Sequence, residues 1–196
     1  SIALVKAVKT LCASVACNWP LVSVLPGMKK EEIFEVLSLF QSSSITLTIV
    51  ALKKLLHPTS REFYPITAVE LLIWLHRRKY TSKSERLLLV VMIKVCMSET
   101  TQSWNALDCS ALKFAIEQLM NDMDITPLFM RLVILFIQSH PSSVDFILNI
   151  IDRIIISHHP SRGFLHKGLT CCLRMINSPK SLVMLENINY RGNLKK

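Results

Sequence analysis

Apolar residues recur along this chain at spacings of three and four, and the alternation of a half-buried strand is rare. The clearest stretch is Val144, Ile147, Leu148, Ile151, Ile154 and Ile155. These positions form one continuous stripe on a helix, with Asp145, Asn149 and Asp152 on the opposite face. The segment before it, Pro127 to His140, is apolar nearly all round, with Leu132-Val-Ile-Leu-Phe-Ile137 at its centre. A helix apolar on every side belongs between other helices. Pro127 suits a first helical position, where its missing N–H has no partner to lose. The pattern therefore predicts that Val144–Ile155 packs on Leu132–Ile137 across the turn His140-Pro-Ser-Ser143, with Ile147 and Ile151 as structural core residues.

Boundary signals divide the remainder. A helical pattern opens the chain at residues 1–9, and Pro26-Gly27 ends the following piece. Helices are expected over Lys29–Phe40 and Ile45–Leu56, separated by a polar break at Gln41–Ser44. His57-Pro-Thr-Ser60 reads as a turn. Thr67 with Glu70 three residues on is a capping box for Ala68–Arg78. Ser84 with Glu85 is read as opening Leu87–Met97, and Ser98–Asn105 as a polar loop. Asp108 caps Ala111–Met120, and Asn121–Thr126 leads into the Pro127 helix. Beyond a turn at Ser157–Pro160, helices over Gly163–Ile176 and Lys180–Ile188 close the chain.

The pattern thus predicts an all-α fold of about ten helices in antiparallel hairpins. It is either a HEAT/armadillo-like α-solenoid or an irregular helical bundle, since no fixed-period sequence repeat is evident. The chain is read as one domain over residues 1–196, a piece of a longer protein.

Composition supports a packed interior. Hydrophobic residues make up 51% of 196, with 4 Gly and 8 Pro, the opposite of a disordered composition. Mean hydropathy is +0.38, which raises the question of a membrane span. Thr10–Met28 and Val36–Leu52 carry no charge, but Asn18-Trp-Pro20, Pro26-Gly27 and Gln41–Ser44 break them short of the roughly 20 apolar residues a bilayer needs. No membrane partner is expected.

Net charge is +9 and unevenly spread. Residues 1–60 and 61–100 carry +3 each, residues 101–160 carry −3, and residues 161–196 carry +6. Basic faces suit acidic peptides or nucleic acid. The sharpest run is His76-Arg77-Arg78-Lys79-Tyr80, a helix end where cations favour the dipole. Arg77, Arg78 and Lys79 are the candidate partner-binding residues. Direct RNA contact is not expected, because stacking aromatics are sparse at 7% of the chain.

Catalytic chemistry finds no foothold. The six histidines form no His-x-x-x-His or His-Glu-x-x-His pattern, and neither a Gly-x-Ser-x-Gly elbow nor a Gly-rich phosphate loop occurs. Cys12, Cys17, Cys96, Cys109, Cys171 and Cys172 contain no Cys-x-x-Cys pair. They read as reduced, structural thiols of a cytosolic or nuclear protein, with no metal and no cofactor. Arg131, in the first turn of the Pro127 helix, calls for a carboxylate partner, for which Asp122 and Asp124 are near in sequence.

Three segments carry a resemblance. They are Leu25-Pro-Gly-Met-Lys-Lys-Glu-Glu-Ile-Phe-Glu-Val-Leu37, Ile66-Thr-Ala-Val-Glu-Leu-Leu-Ile-Trp-Leu-His76, and Thr126-Pro-Leu-Phe-Met-Arg131 running on to Ser139-His-Pro-Ser-Ser-Val144 and the isoleucine-rich helix through Ile155. In order and spacing they resemble the C-terminal domain of symplekin, the scaffold of messenger-RNA 3′-end processing, over roughly residues 20–180. The short connection from His57 to Tyr64 and the end from Asn187 to Lys196 depart from it. The resemblance implies a helical-repeat fold, no enzymatic activity and a nuclear location. It also implies that the domain docks the C-terminal regions of the metallo-β-lactamase-type endonuclease subunit and its inactive paralogue. From the residues alone, a helical-repeat adaptor of another system and an RNA-binding helical array stay open.

Overall fold

The computed structural model describes residues 6, 7, 10, 19–56, 66–80, 82–99, 108–122, 124–157 and 163–193. Among these residues there are ten α-helices and no strand. The protein is all-α. Most of the opening helix, the turns after Leu56 and Ser157, and the loop after Glu99 lie outside the described residues.

Within residues 1–196, contacts divide into two compact units, Ser1–Asp108 and Cys109–Lys196. The described helices of the first are α1 (Trp19–Val24), α2 (Lys30–Ser43), α3 (Ile45–Leu56), α4 (Ala68–Arg77) and α5 (Lys83–Glu99). A 3-10 turn at Leu25–Gly27, with Pro26 inside it, follows α1.

Local chemistry sets these boundaries. At α4 the Thr67 hydroxyl accepts from the Glu70 amide at 3.1 Å while the Glu70 carboxylate accepts from the Thr67 amide at 2.9 Å. The capping box read from the sequence is formed. The Glu32 carboxylate likewise accepts from the Lys29 amide ahead of α2. Two expectations are corrected. First, Gln41–Ser43 do not break the chain, because α2 runs through them to Ser43. A single extended residue, Ser44, makes the break. Its amide bonds back to Phe40, and its carbonyl accepts from Thr48 to start α3. Second, α5 is capped by Ser82, not opened at Ser84. Ser82 and Glu85 exchange 3.1 Å bonds, the three-residue spacing a capping box needs. The same helix continues through Ser98 and Glu99, which the sequence reading placed in a loop.

The packing has two layers. Helix α3 lies against both α2 and α5, and α5 against α4. Helices α2 and α4 run side by side in parallel, joined by three rungs. Lys30 pairs with Glu70, Phe34 stacks on Trp74, and Ser38 accepts from Arg78. Each rung joins residues 40 apart, about the length of one HEAT repeat. The core between the layers is largely aliphatic. Ile33, Val36, Leu37, Phe40, Ala51, Leu52, Leu71, Leu75, Met92 and Ile93 are all fully buried.

The second unit repeats the principle with α6 (Cys109–Asp122), α7 (Pro127–Ser139), α8 (Val144–Ser157), α9 (Gly163–Ile176) and α10 (Pro179–Asn193). Thr126 caps α7 by accepting from the Phe129 amide at 3.1 Å, and Pro127 occupies the first turn as expected. His140 then leaves helical geometry, a 3-10 turn spans Pro141–Ser143, and the chain turns through 116° into α8. Helix α7 is the centre of the unit, against α6, α8 and α9. Seven of its residues are buried, including Leu132, Val133, Phe136 and Ile137. Helix α8 buries Ile147, Leu148, Ile150, Ile151 and Ile154, while Asp145, Asn149 and Asp152 face solvent. The stripe is where the sequence put it, and Phe136 meets Phe146 edge-on at 5.8 Å between the two helices.

Helices α6 and α8 are again parallel, with Cys109 at Ser143, Lys113 over Phe146 and Asn121 bonded to Arg153. Behind them α7 packs tightly on α9. Gly168 makes that approach possible, since a Cβ there would sit 3.1 Å from the Cβ, Cγ and Cε of Met130. Asn177, at φ 46°, ends α9 in the left-handed region, and a serine pair, Ser178 and Ser181, starts α10.

Candidate protein-interaction site

The run at the end of α4 does not form one surface. His76 is buried at 2% exposure, and its Nδ1 lies 2.8 Å from the Leu72 carbonyl, one helical turn back. Arg77 and Lys79 are exposed. Arg78 turns inward. Its guanidinium donates to Ser38 Oγ at 2.6 Å and lies 5.1 Å above the Trp74 ring. Trp74 in turn stacks on Phe34 at 4.9 Å with the ring planes 8° apart. A cation over an indole contributes about 0.5–1 kcal/mol at an exposed site. Arg78 is therefore a tie between α4 and α2. Of the three candidate cations, Arg77 and Lys79 point to solvent and Arg78 does not.

At the other end of this ladder Lys30 and Glu70 pair across the surface. Burial pushes the Glu70 carboxyl up, but the Lys30 hydrogen bond, the Thr67 amide and hydroxyl, and the Lys30 charge together hold it below its ordinary value of 4.5. Beside the basic run, Arg86 covers the Tyr80 ring at 5.1 Å. The recess lined by Arg78, Lys79, Tyr80, Glu85, Leu88 and Leu89 holds only about 20 Å³, the size of one water.

The structural residues fall out separately. Ile147 and Ile151 are in the core of their unit at 1% and 0% exposure, and Pro127 starts α7. Arg131 is half-buried on α7, and its Nε is buried with no hydrogen-bond partner among the described residues. No ion pair joins it to Asp124, which is exposed; the Asp122 side chain lies outside the described residues.

A feature the sequence reading missed lies on α9. His166, Lys167, Thr170, Cys171, Arg174 and Met175 line an open groove of about 570 Å³. They sit at i, i+1, i+4, i+5, i+8 and i+9, one face of the helix. The buried face of the same helix, Leu165, Leu169, Cys172 and Leu173, packs into the unit. The available signal was the charge pattern: between Gly163 and Leu185 the chain has three Lys or Arg and no Asp or Glu.

No cluster of three or more His, Cys, Asp or Glu side chains suited to a metal occurs among the described residues. Two thiols are inert by burial, which pushes both Cys96 and Cys172 up to about 12; the neighbouring Cys171 adds to the shift at Cys172. No single described helix is long and apolar enough to cross a membrane.

Against this geometry, the family described as "Symplekin tight junction protein C terminal" matches residues 20–190. The chain belongs to the symplekin C-terminal family. The match takes in the α2–α4 ladder, the Pro127 helix and the α9 groove. All three segments that carried the resemblance, 25–37, 66–76 and 126–155, lie inside it. No significant match is found among curated proteins or among solved structures. The symplekin-type domain is a scaffold family rather than an enzyme family.

Proposed function

We propose that this domain is a non-catalytic scaffold of messenger-RNA 3′-end processing. In this reading it works in the nucleus and docks the C-terminal regions of the metallo-β-lactamase-type cleavage endonuclease and of its inactive paralogue. Membership of the symplekin C-terminal family over residues 20–190 is the observation that carries this reading. Each stacked-helix unit by itself suits such a role, because packed helices present their outer side chains without an ordering cost. Exposed Leu, Ile and Met side chains supply affinity. Arg77 and Lys79 supply steering, since charges at a rim act mainly on the rate of association.

Isothermal titration of the two purified tails, singly and together, tests the reading, with a scrambled tail as control. Saturable binding of one or both tails is expected. Repeating the titration at higher salt separates this from nucleic-acid binding, whose affinity falls steeply with salt through counterion release. Absence of binding to either tail at tens of micromolar refutes the assigned partner.

A further inference from the structure

The α9 face is basic, partly apolar and open. Lys167 and Arg174 are exposed and make no ion pair among the described residues. They stand seven residues apart, two helical turns or roughly 10 Å, on one side of the helix. Between and beside them lie Cys171 and Met175, both exposed, with their sulfurs 3.9 Å apart. His166 adds an imidazole at the N-terminal end of this face. Among the described residues no carboxylate lines the groove. Beneath this face, Thr170 Oγ1 is buried without a hydrogen-bond partner among the described residues.

These features select an occupant. A lone anion would need convergent donors, and Lys167 and Arg174 are rooted two turns apart along the helix. A nucleic-acid strand would want a stacking ring, and the lining has no Phe, Tyr or Trp. Soft sulfur side chains adapt to an apolar edge. A row of cations parallel to them meets a row of carboxylates spaced one or two turns apart.

We propose that the α9 groove docks an acidic amphipathic helix of a partner protein, its carboxylates set against Lys167 and Arg174 and its apolar edge on Cys171 and Met175. This rests on the scaffold reading and names the surface that would do the docking. The lining from His166 to Met175 spans roughly 14 Å, so two to three turns of the partner helix are in contact.

The test uses the whole chain and two kinds of probe. One probe is a synthetic helical peptide with leucine at i, i+4 and glutamate on the flanking positions. The other is the pair of endonuclease-family tails. Binding is read by fluorescence anisotropy, and occupancy of the groove by site-resolved alkylation of Cys171. The proposal expects that the peptide and at least one tail bind and slow Cys171 alkylation in proportion to occupancy. Reversing Lys167→Glu with Arg174→Glu, at positions where no native pair is lost, weakens both by about tenfold or more. A tail that binds without protecting Cys171, and equally to the reversed variant, overturns the groove and leaves the scaffold reading standing. Protection by the acidic peptide without binding of either tail keeps the groove and removes the assigned partner. No protection by any protein probe overturns the groove. Protection by single-stranded RNA in preference to the peptide overturns it too, because the occupant is then of another class.

Discussion

Gly168 is the point where the packing of the second unit is most exposed to test. It lies in the middle of α9 at ordinary negative φ, so no turn or left-handed backbone requires it. On helix propensity alone, Gly168→Ala should stabilise by about 1 kcal/mol. The added Cβ, however, would stand 3.1 Å from three atoms of Met130 on α7. Cγ and Cε can swing away, but Met130 Cβ is fixed to its own backbone and Met130 is buried at 3% exposure. Overpacking of this kind costs about 1–3 kcal/mol. The net expectation is a loss of about 1 kcal/mol for alanine. Gly168→Val adds two methyls to the same contact and should lose about 3 kcal/mol.

The double-mutant cycle with Met130→Gly isolates the cause. Removing the Met130 Cβ together with the rest of the side chain leaves room, so Gly168→Ala in that background should be neutral or stabilising, with a coupling of about 1 kcal/mol or more between the two sites. Urea unfolding followed by far-UV circular dichroism gives the midpoints. All three tryptophans, Trp19, Trp74 and Trp104, lie within residues 1–108 and none within Cys109–Lys196, so their fluorescence follows the first unit. A dichroism change at constant tryptophan transition places the loss in Cys109–Lys196. A stabilised Gly168→Ala in the native background, or an equal effect with and without Met130, refutes the close α7–α9 approach.

Ile151→Asp should unfold the second unit, because a fully buried side chain is replaced by a carboxylate with no partner, at several kcal/mol. A soluble variant with an unchanged dichroism midpoint would contradict the α8 packing. Iodoacetamide at pH 8 should modify Cys171 in the native protein but reach Cys96 and Cys172 only on unfolding. With those thiols pushed up to about 12, only about one in ten thousand is thiolate at that pH, and both are buried. Because the folded state holds these protons, their contribution to stability is intact below pH 9 and declines as pH rises toward 12. Glu70→Gln keeps an oxygen for the Thr67 amide but loses the charge that meets Lys30. With the two side chains 41% and 39% exposed, the cost should be under about 1 kcal/mol. The Glu70 carboxyl is held below 4.5, so the gap between native and variant midpoints should be full above pH 5 and close as pH falls below 4.5. A gap that widens in acid would refute the pairing.

Local features were legible because their chemistry is local. The Thr67–Glu70 box, Pro127 in the first turn and the Val144–Ile155 stripe each need only a few neighbouring residues, and each is present in the fold. The errors came from competition the sequence leaves undecided. Ser82 and Ser84 both precede Glu85, and the three-residue spacing favours Ser82, whose hydroxyl and the Glu85 carboxylate can reach each other's amides. Gln41–Ser43 look like a loop by polarity, yet helix α2 continues because one extended residue at Ser44 suffices to turn the chain. Arg78 looked like part of a solvent-facing run, since its partners Ser38 and Trp74 are a helix away and the charge pattern does not show them.

The same reasoning explains why no repeat is visible in a chain built from stacked parallel helices. In the first unit the rungs between α2 and α4 are an ion pair, an aromatic stack and a guanidinium–hydroxyl bond at a constant offset of 40. In the second they are a thiol–hydroxyl contact, a cation over a ring and a guanidinium–amide bond, at offsets of 34, 33 and 32. Only the pairing of one helix with the next but one persists; neither the offset nor the residue types that bridge it do. A stacked array needs an apolar core on one side of each helix and any mutually compatible contact at the seam. Many chemistries therefore satisfy the seam, and the residue types there show no repeat. The outward faces are free of both constraints. That freedom lets α9 carry Lys167, Cys171, Arg174 and Met175 on its groove side while Leu165, Leu169 and Leu173 hold the unit together behind them.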